Sequence, residues 1–143
     1  MVVMDVSEVI PEAKGKITNC DELKRELDGF ISTLNYWQHF TGLHFTDGVK
    51  YLADRAGAYW LIDAVMSWQA EKKVKHVPFQ LWTLKVLRSE LGKNKNEPMA
   101  ILEMNEDTGE PIIARQKIEY TDFPMGEIKL YLIDGVLLLP SEY

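Results

Sequence analysis

The stretch Thr46-Asp47-Gly48-Val49-Lys50-Tyr51-Leu52-Ala53-Asp54-Arg55-Ala56-Gly57-Ala58-Tyr59-Trp60-Leu61-Ile62-Asp63-Ala64-Val65-Met66-Ser67-Trp68-Gln69 changes midway from a helix with one apolar face to one apolar nearly all round. Its second half must be buried on most sides, which locates the core. Thr46 can cap the first helix with its side-chain oxygen, and Asp47 sits near the positive end of the helix dipole. Val49, Leu52, Ala53 and Ala56 make the apolar stripe of that helix. Gly57 fits either a left-handed stop or a tolerated glycine within one long helix, and two helices with a bend between them are the preferred reading. From Ala58 to Gln69 only Asp63, Ser67 and Gln69 are clearly polar. Lys72, Lys73, Lys75 and His76 follow the end of this central helix, where cations suit the dipole, and Pro78 stops the helical half.

Upstream, Thr18 with Asp21 three residues on is a weak capping box. Leu23, Leu27, Phe30, Ile31 and Leu34 follow at helical spacing, predicting an amphipathic helix of about four turns. Asn35 to Phe45 is dense in aromatics (Tyr36, Trp37, Phe40, Phe45) and broken at Gly42, which reads as a packed connection. Residues 1–17, with Pro11 and Gly15, read as an irregular arm.

After Pro78 the period falls to two. Strands are expected over Phe79 to Arg88, Met99 to Met104, Ile112 to Tyr120, Glu127 to Ile133 and Val136 to Leu139, with Asp134-Gly135 as the clearest hairpin turn. Helices first and strands afterwards indicate an α+β fold, with the N-terminal helices packed on one face of a four- to five-stranded antiparallel sheet formed by the C-terminal half. A chain of 143 residues, 46% hydrophobic, fits a single domain that buries about two thirds of its unfolded surface.

The net charge of -6 lacks the basic excess of a dedicated nucleic-acid binder. No apolar run approaches the roughly 18 residues of a membrane span, the start is acidic rather than signal-like, and the lone Cys20 has no disulfide partner. A cytoplasmic protein without membrane contact is the expectation.

Asp63 is the first candidate for chemistry, because a carboxylate in an apolar helix must face water, find a partner or titrate abnormally. Helical spacing lines up Tyr59, Asp63 and Ser67 as a small ligand-binding site, or as a narrow stripe that merely reaches solvent. His39, His44 and Asp47 offer two imidazoles and a carboxylate to a metal, but their spacing matches no ligand motif, and no cofactor is expected. Cys20 would open the first helix, where the dipole favours a thiolate while Asp21 and Glu22 oppose it. Glu103, Asn105 and Asp107 alternate as in a calcium loop, yet the glycine falls one place late and an ordinary turn explains them. Lys72, Lys73, Lys75, Lys93 and Lys95 would meet phosphates only if their two loops came together. No phosphate loop, nucleophile elbow or dinucleotide fingerprint is present.

Two segments, TDGVKYLADRAGAYWLIDAV from Thr46 to Val65 and IEYTDFPMGEIKLYLIDGVLLLPSEY from Ile118 to Tyr143, carry a resemblance. The chain from about Leu27 onward resembles a family of small bacterial proteins with a domain of unknown function, found also on plasmids and phages. Members tend to have Gly-Thr where this chain has Ser32-Thr33. The resemblance carries no activity and implies an accessory protein of mobile gene sets, which more often binds than catalyses. The expectation is a non-enzymatic interaction protein that self-associates or binds a host or phage protein. Its four tryptophans and a Val136 to Leu139 strand lying open at a sheet edge motivate this reading. The alternative is a small enzyme or ligand-binding protein with a pocket around Asp63, between the central helix and the sheet.

Overall fold

Period-two patterning after Pro78 does build a sheet, and that sheet is larger than the C-terminal half alone makes. The computed structural model describes residues 2–5, 19–87 and 99–143. In chain order the elements are β1 (Val2–Asp5), α1 (Cys20–Asp28), β2 (Asn35–Gln38), β3 (His44–Thr46), α2 (Asp47–Ala56), α3 (Tyr59–Ser67), a 3-10 turn (Trp68–Ala70) and α4 (Lys72–Lys75). There follow β4 (Phe79–Val86), β5 (Ala100–Asn105), β6 (Ala114–Ile118), β7 (Glu127–Ile133), β8 (Val136–Leu138) and a closing 3-10 turn (Pro140–Glu142). The strands form one eight-stranded mixed sheet in the order β1-β2-β3-β8-β7-β4-β5-β6.

The α+β class stands, and the five strands after Pro78 are antiparallel to their neighbours among themselves. The expectation of four to five strands drawn only from the C-terminal half is corrected: β1, β2 and β3 extend the sheet, with β1 parallel to β2 and β3 parallel to β8. The aromatic connection from Asn35 to Phe45 is a β-hairpin, registered Tyr36 with Thr46 and Trp37 with Phe45. Val2–Asp5 of the expected arm is a strand; the rest of the arm lies outside the described residues.

The first helix is shorter than its apolar spacing predicts. Asn19, rather than Thr18, is its N-cap and accepts from Glu22 N at 3.0 Å. Gly29 closes it after nine residues, leaving Ile31 and Leu34 outside the helix at 77% and 82% exposure. Beyond the helix end the Asp47 carboxylate takes the backbone N–H of Leu34 and of Asn35, at the start of β2. The next two helices follow the sequence: Thr46 Oγ1 accepts from Val49 N, and Gly57 sits at φ 62, ψ 41, the left-handed stop.

Trp82, Leu84, Leu102, Met104, Leu130, Leu132, Phe45, Leu137 and Trp37 point to one face of the sheet. The apolar sides of α1, α2 and α3 close over them. Gln80 pins the end of the helical layer: its amide donates to Val74 O and Val77 O, pairs with the Gln69 amide, and accepts from Trp82 Nε1. The closing 3-10 turn reaches the start of α2, where the Glu142 carboxylate accepts from Thr46 Oγ1, Leu139 N and Gly48 N. A Cβ at Gly48 would fall 2.6 Å from both Glu142 Oε1 and Leu139 Cδ1, so only glycine admits this approach.

Candidate functional site

Tyr59, Asp63 and Ser67 share a helix line in sequence, and the structure sends them to three different places. Each four-residue step overshoots a full turn by about 40°, so Tyr59 and Ser67 diverge by about 80° around α3. Tyr59 turns toward α2, where its hydroxyl donates to Asp54 and accepts from Lys50 Nζ at 3.1 Å. Lys50 is 2% exposed, donates to Asp54 Oδ2 at 2.9 Å and lies 4.6 Å from the centre of the Trp37 ring. Burial, reinforced by the Asp54 carboxylate, pushes the Tyr59 phenol well above its ordinary range, so it stays protonated at neutral pH. This closed network staples α2 to α3 across the Gly57 bend.

Asp47 does more than complement a helix dipole. Its carboxylate accepts from Leu34 N at 3.0 Å, Asn35 N at 3.2 Å and Trp37 Nε1 at 2.9 Å. Burial acts to raise its pKa, but the three N–H donors outweigh it and hold the group below its ordinary 3.8.

Asp63 finds its partner in the β2–β3 turn. Its Oδ1 lies 2.7 Å from Nε2 of His39, a ring only 5% exposed. The Thr41 N–H donates to His39 Nδ1, so we assign the lone pair to Nδ1 and the proton, directed at Asp63, to Nε2. Thr41 Oγ1 also lies 2.9 Å from Nδ1, and Phe40, itself 87% exposed, covers the imidazole at 4.2 Å between centroids. A carboxylate, an imidazole and a hydroxyl thus stand in a line. Two N–H groups of the turn are already spent, Thr41 N–H on His39 and Gly42 N–H on the His39 carbonyl. Ser67 is exposed and donates only to Ala64 O.

The three metal candidates do not converge. His39 is turned to Asp63, Asp47 to its N–H donors, and His44 lies in β3 opposite Val136. Among the described residues no group of three His, Cys, Asp or Glu side chains is placed to hold a metal ion. Cys20 opens α1, partly buried against the core. Glu103 belongs to the sheet rather than to a calcium loop: it pairs with Lys85 at 3.0 Å and Arg115 at 2.6 Å. Lys93 and Lys95 lie outside the described residues.

Among the described residues two surfaces bear on function. Beside the His39 turn, a cleft of about 480 Å³ opens between the β2–β3 turn, the end of α3 and the β7–β8 turn, with Thr41, Leu43, Met66, Ser67, Lys75 and Leu132 among its walls. The second is the sheet face turned away from the helices. Here Phe79, Tyr131 and Tyr143 form a three-ring cluster, with centroids 4.9 to 5.6 Å apart. Register places Ile133 opposite both Phe79 and Val136, and Leu138 opposite Tyr131, so these half-buried side chains extend the same patch. Across β4, β5, β6 and β7 the face turns charged, with Lys85, Glu103, Arg115 and Glu127. The strand Val136–Leu138 is no open edge: β8 lies between β3 and β7, which corrects that expectation. Sequence reasoning pointed to an edge and missed this face, although the alternation Phe79, Leu81, Thr83, Lys85 against Gln80, Trp82, Leu84 carried its signal.

Residues 21–143 match the model of a family of unknown function, DUF6876, and the chain belongs to that family. No curated protein and no solved structure matches it. No helix among the described residues is long and apolar enough to cross a membrane.

Proposed function

We propose that this member of a family without an assigned activity works by association, a second copy of the chain docking on the sheet face that bears Phe79, Tyr131 and Tyr143. The observation that carries the reading is the contiguity of those rings with Ile133, Val136 and Leu138 on a face that no helix among the described residues covers. Tyr143 is exposed and the other five side chains are half-buried; contiguous apolar surface left in part to solvent marks interaction sites, and aromatic side chains supply most of the energy where two proteins meet. Lys85 and Arg115 alternate with Glu103 and Glu127 beside the patch, so a two-fold axis through it can oppose unlike charges. A cytoplasmic, non-enzymatic accessory role on mobile gene sets belongs to the same proposal.

Sedimentation velocity over a concentration series tests it. The wild-type chain is expected to dimerise, and Tyr131→Lys, which places a charge in the patch without touching the helical core, to remain monomeric with an unchanged circular dichroism spectrum. A wild-type chain that stays monomeric throughout overturns self-association; a monomer that instead captures another protein through the same face moves the reading to a foreign partner.

A second reading is small-ligand binding in the cleft beside His39. It is favoured by the tie from Asp63 through His39 to Thr41, which fixes one wall of that cleft. It replaces the expected pocket around Tyr59, Asp63 and Ser67: Ser67 alone of the three borders the cleft, and Asp63 acts on it through His39.

A further inference from the structure

The cleft at the end of α3 has the size of a small-molecule site, and its walls are unevenly charged. Leu43, Met66 and Leu132 give it an apolar floor, while Thr41 and Ser67 bring hydroxyls to the mouth. Among the described residues one ionic group lines it, Lys75, and no acidic side chain does. Lys75 has no ion-pair partner among the described residues, whereas Lys50, Arg55, Lys85 and Arg115 each have one. Lys72 and Lys73 stand on the same short helix, adding positive potential near the rim. Asp63, one turn before Ser67 on α3, is turned to the His39 ring and makes no wall of the cleft.

From this combination we infer that the cleft binds a small organic anion with an apolar body, of the class of a medium-chain carboxylate, with Lys75 meeting the charged head and Leu43, Met66 and Leu132 the chain. The inference rests on the small-ligand reading above and names its ligand class. The ligand lies along the apolar floor, and its carboxylate stays at the wet rim, where the ammonium is exposed and keeps much of its hydration. That geometry keeps the ionic contribution modest. Thr41, held by His39, and Ser67 complete the polar mouth.

The test is an amide-resolved NMR titration of the full chain with octanoate and, separately, with heptanol, which carries the same seven-carbon alkyl chain. Octanoate is expected to shift the amides of Thr41, Leu43, Ser67, Gln69 and Gly135, and heptanol the same set with an affinity about two- to fivefold weaker, as expected for one exposed ion pair. Lys75→Gln, a surface substitution, is expected to weaken octanoate by about that factor and leave heptanol unchanged. Equal affinities in the wild-type chain, or a Lys75→Gln variant that binds octanoate as before, overturn the assignment of an anion while leaving a small-ligand cleft standing. Shifts confined to Phe79, Tyr131 and Ile133, or none at all with either probe, overturn both.

Discussion

Asp47 illustrates how one side chain decides local structure. It follows the N-cap Thr46, yet its carboxylate is spent on Leu34 N, Asn35 N and Trp37 Nε1, and its own N–H goes to Thr33 Oγ1. Asp47→Asn keeps one carbonyl oxygen and replaces the other acceptor by a donor facing N–H groups. A loss of about 1–3 kcal/mol at neutral pH is expected in urea denaturation. The folded pKa lies below 3.8, so the contribution of the charge is complete above that value and is lost as pH falls through the folded pKa. The stability gap between wild type and variant should therefore shrink below about pH 3.8; a gap that stays constant there contradicts the assignment. Sequence gave Asp47 a helix-dipole role because that role is local, whereas its three donors lie 10 to 13 residues upstream. Asp63 was legible as a carboxylate in need of a partner, but nothing along the chain selects His39, 24 residues away, over His44.

At the scale of elements, α2, α3 and the Gly57 bend were readable, because a cap, a stripe and a left-handed glycine are all encoded within one or two turns. The β2–β3 hairpin was not: strands of four and three residues are too short to display alternation, and their pairing depends on Trp37 and Phe45 meeting α2. Ile31 and Leu34 kept helical spacing past the real helix end, an apolar pattern with no burial behind it. Gly48 offers the sharpest test of element packing. Helix propensity alone predicts that Gly48→Ala gains about 1 kcal/mol. Contact with Glu142 and Leu139 predicts the opposite, because Leu139 is core and the Glu142 carboxylate is already engaged by three donors. A net loss of about 1–2 kcal/mol in thermal or urea unfolding is expected; a more stable Gly48→Ala variant would show that the closing turn does not pack on α2.

For the whole molecule, the antiparallel part of the sheet was legible from period-two runs, while its extension was not, since β8 pairs with β3 across about ninety residues of sequence. That pairing moves Val136–Leu138 from the expected edge to the centre of the sheet, and with it moves the surface available to a partner from an edge to a face. The residues of that face were visible as the second half of each alternation; whether another layer covers them is a property of the assembled fold. Association through this face is the central claim. The most direct measurement is an isotope-filtered NOE experiment on a mixture of labelled and unlabelled chain, which records only contacts between copies. The account predicts intermolecular cross-peaks joining the rings of Phe79, Tyr131 and Tyr143 to the methyl groups of Ile133, Val136 and Leu138; cross-peaks arising elsewhere on the surface, or none at concentrations where the chain remains folded, would contradict it.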